Sequence, residues 1–131
     1  MSRNIVITGV SRGLGRAMVD QLVDRGHQVS GCATNAEAIE GLRKTYGSPH
    51  RFDVVDISHA DKVDAWAQEV LAQGTPDLLI NNAAVINRSE PLWEVHPSEF
   101  ESLMNINIGG TYHVIRSFLP CLLYTSDAAD E

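Results

Sequence analysis

The chain is poor in the residues that mark several large classes of protein. Its two cysteines, Cys32 and Cys121, are too few for a disulfide-bonded scaffold or a cysteine-rich zinc site. Its net charge is −7 and no Lys/Arg cluster forms a basic face, which argues against a nucleic-acid partner. No apolar run approaches the roughly 20 residues of a membrane span, and the five histidines lack metal-ligand spacing. We therefore expect a soluble, cytoplasmic domain with no metal site and no membrane partner.

Short apolar runs alternate with amphipathic stretches along the chain. The runs predict strands at residues 5–7, 28–33, 51–57 and 77–83. The stretches predict helices at residues 12–25, 36–46, 58–73 and 97–120. We expect Asn35 to cap the second helix, Ser58 and Asp61 to form a capping box at the third, and Pro120 to end the fourth. This alternation predicts an α/β fold in which a parallel sheet has right-handed crossovers.

A glycine-rich loop connects the first strand with the first helix. Residues 8–15 have the spacing Thr-Gly-x-x-x-Gly-x-Gly. Glycines allow a tight turn and a close approach of the backbone, and the helix N-terminus that follows favours a pyrophosphate. An ordinary glycine turn is the alternative, but the position after a buried strand at the start of a βαβ unit favours dinucleotide binding.

This spacing resembles that of the short-chain dehydrogenase/reductase family, and further motifs follow in the family's order across residues 3–120. Asp53-Val54 resembles its adenine-contacting pair, residues 81–84 resemble its Asn-Asn-Ala-Gly motif with alanine last, and Asn107 matches its catalytic asparagine. The cofactor-binding residues that the resemblance implies are Gly9, Ser11, Arg12, Gly13, Leu14, Gly15, Thr34, Asp53, Val54, Asn82, Ala83 and Ala84.

The resemblance also implies a fold and a reaction. The expected fold is a Rossmann-type, doubly wound parallel sheet in three α/β/α layers, with strand order 3-2-1-4. The expected reaction is hydride transfer between a nicotinamide cofactor and a carbonyl or alcohol substrate. For Asn107 the alternative is a helix-interior side chain that bonds to nearby backbone, where Gly109 and Gly110 favour a local bend.

The end of the second strand bears on the choice of cofactor. NAD enzymes usually place a carboxylate there for the ribose 2′-hydroxyl, but this chain has Ala33 followed by Thr34. Ala33 leaves room for a 2′-phosphate, Thr34 can donate a hydrogen bond, and Arg12 can supply positive charge. A solvated surface charge is the alternative for Arg12. Within the family this arrangement implies NADP.

The loop at residues 85–95, together with Gly31-Cys32, resembles those family members that reduce pterin aldehydes with NADPH. A pterin aldehyde is therefore one expected substrate.

Three of the family's four catalytic groups are missing from the sequence. The family uses a Ser and a Tyr-x-x-x-Lys pair, but neither of the two lysines, Lys44 and Lys62, follows a tyrosine by four positions. Tyr112 and Arg116 have that spacing but come too early in the chain, so we interpret Tyr112 as a packing residue. We expect either a truncated, inactive copy of an NADP-dependent oxidoreductase or a non-catalytic dinucleotide-binding module.

The last residues do not resemble the family. Residues 121–131 resemble the translation of a transposase-type sequencing adapter. We interpret residues 1–120 as a partial NAD(P)-binding Rossmann domain, truncated after the fourth strand and its long helix, and residues 121–131 as a non-native tail. An exposed apolar edge strand would make the isolated chain poorly soluble, and the full-length parent is expected to be a homo-oligomer.

Overall fold

The computed structural model describes the backbone of residues 1–130 and the side chains of residues 1–123. The strands are β1 Asn4–Thr8, β2 Gln28–Ala33, β3 Arg51–Val54 and β4 Leu78–Ile80. The α-helices are α1 Gly13–Asp24, α2 Ala36–Thr45, α3 Ala60–Ala72, α4 Pro97–Met104 and α5 Thr111–Asp130. A 3₁₀ turn lies at Leu92–Glu94, and a π-helix at Asn105–Gly110 joins α4 to α5. The predicted alternation of strands and helices is confirmed.

The four strands form one parallel sheet in the order β3-β2-β1-β4, as predicted. In the register of this sheet, Thr8 pairs with Cys32, and Cys32 pairs with Asp53. Because the strands are parallel, their carboxyl ends meet at one edge. The loops that follow β1, β2, β3 and β4 therefore converge there, and that edge is where a ligand is expected in an open α/β sheet.

Two buried apolar clusters show that helices cover both faces of the sheet. Successive residues of a strand point to opposite faces, and Val6 belongs to one cluster while Ile7 belongs to the other. The Val6 cluster includes Trp66 of α3 and Phe118 of α5, whose rings meet edge to face with centroids 5.1 Å apart. The Ile7 cluster includes residues of α1 and α2. The three-layer α/β/α architecture is thus confirmed.

The start of α2 follows the prediction, whereas the start of α3 does not. Asn35 caps α2, because its side chain accepts a hydrogen bond from the Ala38 N–H at 3.0 Å. The predicted capping box at Ser58 is wrong, since α3 begins at Ala60. The Ser58 hydroxyl donates instead to a carboxylate oxygen of Asp56 at 2.7 Å. This side chain is therefore engaged with Asp56 and does not cap α3.

The predicted single helix over residues 97–120 is divided and extended. The π-helix separates α4 from α5, which places an irregular segment at the predicted Gly109-Gly110 bend. The prediction that Pro120 ends the helix is wrong, because α5 continues through it. A proline removes one backbone hydrogen bond, which Arg116 would otherwise accept. Arg116 and Pro120 are both exposed, so water can satisfy that carbonyl. Residues 124–131 of the predicted tail lie outside the described side chains.

One face of the α4–α5 region is apolar and exposed. Its exposed apolar residues recur at about one per helical turn: Phe100, Met104, Ile108, Tyr112, Ile115, Leu119 and Leu123. At the sheet edge, Leu78 of β4 is 47% exposed. Over the described residues, no helix combines the length and the apolar character needed to cross a bilayer.

Candidate cofactor site

A cleft of about 340 Å³ opens at the carboxyl edge of the sheet. It is bounded by the loops that follow all four strands and by one residue of the π-helix. The lining residues are Gly9, Ser11, Arg12, Gly13, Cys32, Ala33, Thr34, Val55, Asp56, Ile57, Asn82, Ala83, Ala84, Val85 and Ile106. The structure thus brings together eight of the predicted cofactor-binding residues.

The glycine loop takes a conformation that other residues would resist. Gly9 and Gly13 have φ angles of +74° and +58°, in the left-handed region that glycine tolerates best. A Cβ atom on Gly9 would lie 2.8 Å from the Ala83 Cα, and one on Gly15 would lie 1.9 Å from the Gly9 carbonyl oxygen. Gly15 is therefore buried beneath the loop and supports it rather than lining the cleft.

The loop after β4 is joined to the glycine loop by side-chain hydrogen bonds. The Thr8 Oγ1 accepts from the backbone N–H groups of Asn82 and Ala83 at 3.1 and 3.0 Å. The Asn82 amide donates in turn to the Gly9 carbonyl at 3.0 Å. Sequence reasoning did not assign Thr8 this role, although a hydroxyl at the end of a buried strand is a signal for such an anchor.

The N-terminus of α1 faces the cleft without a neutralising group. Arg12 occupies the N-cap position, no side-chain hydrogen bond caps the helix, and its first turn has no acidic residue. Uncapped N–H groups and the helix dipole favour an anion at this point. Ser11, Arg12 and Gly13 line the cleft here, whereas the predicted cofactor contact Leu14 is 70% exposed and lies outside it.

The end of β2 supplies a wall with no acidic side chain. Ala33 and Thr34 line the cleft. The Cys32 carbonyl accepts from the Gly9 and Val10 N–H groups at 2.9 and 3.2 Å, which holds the glycine loop against β2. Burial raises the pKa of the Cys32 thiol to about 12, so this cysteine is uncharged and is not a nucleophile.

The predicted adenine-contacting pair, Asp53 and Val54, lies outside the cleft lining. The Asp53 carboxylate accepts from Arg51 Nε at 2.7 Å and borders a separate surface hollow, while Val54 is half-exposed. The cleft wall is formed three residues later, by Asp56 and Ile57. The sequence contains two Asp-apolar pairs three positions apart, and the strand ends between them at Val54. Only the second pair lies in the loop that reaches the cleft.

The Asp56 carboxylate is held as an acceptor. Its Oδ1 accepts from the Ser58 hydroxyl at 2.7 Å and from the Ser58 N–H at 3.0 Å. The hydroxyl bond is the largest cause that lowers the pKa of Asp56 below the ordinary value of 3.8. Since an ionised carboxylate only accepts, Asp56 offers its remaining lone pairs to a donor such as an amino group.

Asn107 holds the far wall of the cleft. Its Oδ1 accepts from the Val85 N–H, and its Nδ2 donates to the Val85 carbonyl, both at 2.8 Å. This paired contact ties the π-helix to the loop after β4. The alternative for Asn107 was a side chain that bonds to the backbone of its own helix. The observed contact is instead with the backbone of another segment. Tyr112 is 60% exposed and lies outside the cleft lining.

A four-stranded parallel sheet with a glycine loop and an anion-favouring helix end at its carboxyl edge defines a Rossmann-type dinucleotide-binding unit. Comparison with known proteins narrows this class. The family model described as short chain dehydrogenase matches residues 3–129. The chain belongs to the short-chain dehydrogenase family, as the sequence predicted. The match also runs nine residues past Pro120, into the segment interpreted as a tail.

Individual relatives agree with the family. The chain is 37% identical over 125 residues to an NADPH-dependent pterin aldehyde reductase of Arabidopsis thaliana, covering 93% of this chain and 52% of that protein. It is similar in structure to a 3-ketoacyl-(acyl-carrier-protein) reductase of Brucella melitensis complexed with NADH. That match has a TM-score of 0.92 and 25% identity, over 98% of this chain and 54% of that one.

A metagenomic short-chain oxidoreductase in complex with NADP gives a TM-score of 0.85 at 31% identity, over 94% of this chain and 57% of that one. The chain spans about half the length of the curated relatives that it matches.

Proposed function

We propose that this chain is the cofactor-binding part of an NADP-dependent oxidoreductase that acts on a carbonyl or alcohol substrate. The observation that carries the proposal is the cleft itself, in which an uncapped helix N-terminus and Arg12 face a strand end without a carboxylate. When bound, the nicotinamide supplies or accepts the hydride. The residues of the cleft would bind and orient the cofactor.

Four parts of the cofactor have a matching part of the cleft. The N–H groups at Ser11–Gly13 would hold the pyrophosphate. Arg12 and Thr34 would hold the ribose 2′-phosphate. Asp56 and Ile57 would contact the adenine, in place of the predicted Asp53 and Val54. The walls that would hold the remaining ribose are formed by Asn82, Ala83 and Ala84.

The preference for NADP over NAD follows from charge. A carboxylate at the end of β2 would repel a 2′-phosphate and would hydrogen-bond a 2′-hydroxyl. Ala33 and Thr34 occupy this end of the cleft, and Arg12 adds a cation to the cleft lining. Two relatives support NADP, since the Arabidopsis reductase is NADPH-dependent and the metagenomic oxidoreductase was solved in complex with NADP.

The substrate that we propose is an aldehyde such as a pterin aldehyde. The support is the name of the Arabidopsis relative, together with the likeness of the loop at residues 85–95. Asn107 is proposed to contribute to catalysis in the whole protein, which would also supply the Ser, Tyr and Lys. We propose that the whole protein is a cytoplasmic homo-oligomer, and the exposed apolar face of α4–α5 supports the oligomer.

A non-catalytic dinucleotide-binding module is the second candidate. It is favoured by the lack of a Tyr-x-x-x-Lys pair in the 131 residues. Both candidates predict that these residues alone do not catalyse hydride transfer at a useful rate. The gene sequence beyond the codon for Pro120 distinguishes them, because the enzyme requires a downstream Ser and Tyr-x-x-x-Lys. Carbonyl-dependent oxidation of NADPH by the purified chain would contradict both.

The test of cofactor binding is calorimetric titration of the chain with NADPH and with NADH. We expect tighter binding of NADPH by roughly tenfold or more, since a hydrogen bond to a charged group contributes about 1.5–3 kcal/mol. Arg12→Ala should remove most of that preference. Arg16→Ala is the matched control, because Arg16 lies one turn further along α1 and pairs with Asp20 at 3.1 Å. Equal affinity for the two cofactors in the unmodified chain would refute the proposal.

A further inference from the structure

We propose that His113 is a positioning residue that orients the adenine-side wall of the cleft by holding the peptide group between Ile57 and Ser58. The inference rests on the proposed function, in which this cleft binds NADPH. His113 lies on α5 and is not part of the cleft lining, but its ring contacts this peptide group. Its effect would therefore reach the cofactor through Asp56.

The contact between His113 and the loop after β3 is a single directed hydrogen bond. The His113 Nδ1 lies 2.8 Å from the Ile57 carbonyl oxygen. A carbonyl oxygen can only accept, so Nδ1 must carry the proton. Both the Nδ1–H neutral tautomer and the imidazolium meet that requirement. The contact therefore fixes the direction of the carbonyl whichever of those two forms is present.

The same peptide group is held at its other end by Asp56. The Ile57 carbonyl and the Ser58 N–H belong to one planar unit, and that N–H donates to the Asp56 Oδ1 at 3.0 Å. Rotating the peptide would break both bonds together. A side chain on α5 thus helps to orient the carboxylate that lines the cleft, which the Ser58 hydroxyl also holds at 2.7 Å.

Apolar packing holds the Ile57 side chain against α5, whereas the hydrogen bond from His113 holds the Ile57 carbonyl. Ile57 is buried in the same apolar cluster as Val114. A Cβ atom on Gly110 would lie 2.5 Å from Ile57 Cγ1, so the π-helix contacts this side chain closely. Packing of this kind is non-directional. It sets the distance between helix and loop, whereas the hydrogen bond sets the orientation of the peptide plane.

This arrangement predicts a selective effect on cofactor recognition. Asp56 supplies the carboxylate on this wall that would accept a hydrogen bond from the 6-amino group of adenine. The pyrophosphate and the 2′-phosphate would be held elsewhere, at Ser11–Gly13 and at Thr34. Loss of the His113 bond should weaken recognition of the amino group and leave the phosphate contacts intact. A histidine that only fills space on α5 would change the affinity for every ligand of the cleft alike.

The test compares NADPH with its hypoxanthine counterpart, which carries an oxo group in place of the 6-amino group. In the 131-residue chain we expect NADPH to bind several-fold more tightly. His113→Leu should abolish most of that preference and leave the affinity for the hypoxanthine cofactor unchanged. His113→Asn should keep the preference, because the amide nitrogen of Asn can replace Nδ1–H. His113→Gln, whose donor lies one bond further out, serves as the second variant should H113L fail to fold.

Hydrogen exchange gives a readout that needs no cofactor. We expect faster exchange at residues 55–59 in H113L or H113Q than in H113N, with thermal unfolding as the control for global stability. Unchanged exchange there, or equal weakening of both cofactors, would overturn the positioning role. If the unmodified chain binds neither cofactor, the proposed function fails, and the exchange rates alone then decide the role of His113.

Discussion

Replacing Thr8 by valine isolates the hydrogen bonds that join the two loops of the cleft. Thr8 is 1% exposed, and its hydroxyl oxygen accepts from two backbone N–H groups, those of Asn82 and Ala83. Valine has nearly the same shape but no acceptor. Thr8→Val therefore leaves both donors without this partner, whereas Thr8→Ser keeps the oxygen and removes only a methyl group.

The magnitude follows from the burial of the two donors. An unsatisfied buried donor costs about 1–3 kcal/mol. Asn82 and Ala83 are half-buried, so the lower part of that range applies, and the pair should cost about 3 kcal/mol. The added methyl group offsets about 0.8 kcal/mol. T8V should thus lose about 2 kcal/mol of unfolding free energy, and T8S about 0.8 kcal/mol.

Urea unfolding of the 131-residue chain and its two variants measures this difference. We expect the order of stability to be wild type, then T8S, then T8V. NADPH affinity should fall further in T8V than in T8S, because the valine variant also frees the loop at Asn82 and Ala83. A T8V chain as stable as T8S would refute the role assigned to the Thr8 hydroxyl.

Three further predictions concern single groups. Gly110→Ala should destabilise the chain by about 1–3 kcal/mol, because its Cβ would meet Ile57 at 2.5 Å; an unchanged urea midpoint would contradict this. Cys32 should react with iodoacetamide only when urea opens the fold, and rapid labelling at pH 8 would contradict its burial. Because burial raises its pKa to about 12, stability due to Cys32 is present below the ordinary thiol value and is lost as pH rises towards 12. Ser58→Ala should raise the lowered pKa of Asp56 towards its ordinary value, as followed by carboxyl NMR. The stability that this carboxylate contributes is present above pH 3.8 and is lost as pH falls; an identical Asp56 titration in wild type and S58A would contradict the Ser58 contact.

The sheet and the glycine loop could be predicted because each rests on local sequence. The β-branched run at residues 5–7 is buried. Gly9 and Gly13, which follow it, adopt the positive φ angles that glycine tolerates best. The strand order was predicted from the family resemblance and depends on how the strands pair across the whole chain. The sequence itself contains no local signal for that order.

The structure differs from the sequence-based expectation where two local interpretations compete. Asp53-Val54 and Asp56-Ile57 are equivalent as patterns, and only the end of β3 at Val54 shows which pair faces the cleft. Ser58 could cap α3 or donate to Asp56, and the tertiary position of the loop decided the outcome.

The helix over residues 97–120 shows a related limit. Asn107 could be identified from its motif, but its bonds to Val85 join residues 22 positions apart. The π-helix that makes this contact has no periodic signal of its own. Local sequence rules predict that the helix ends at Pro120, yet α5 accommodates this proline at an exposed position.

Protection from hydrogen exchange by NADPH tests whether this cleft binds the cofactor. We expect slower exchange at four separate segments when saturating NADPH is added to the chain: residues 9–15, 32–34, 55–58 and 82–85. These segments are distant in sequence and meet only at the cleft. Protection confined to the second hollow around Arg43 and Arg51, or no protection at any segment, would contradict the assignment of this cleft as an NADP site.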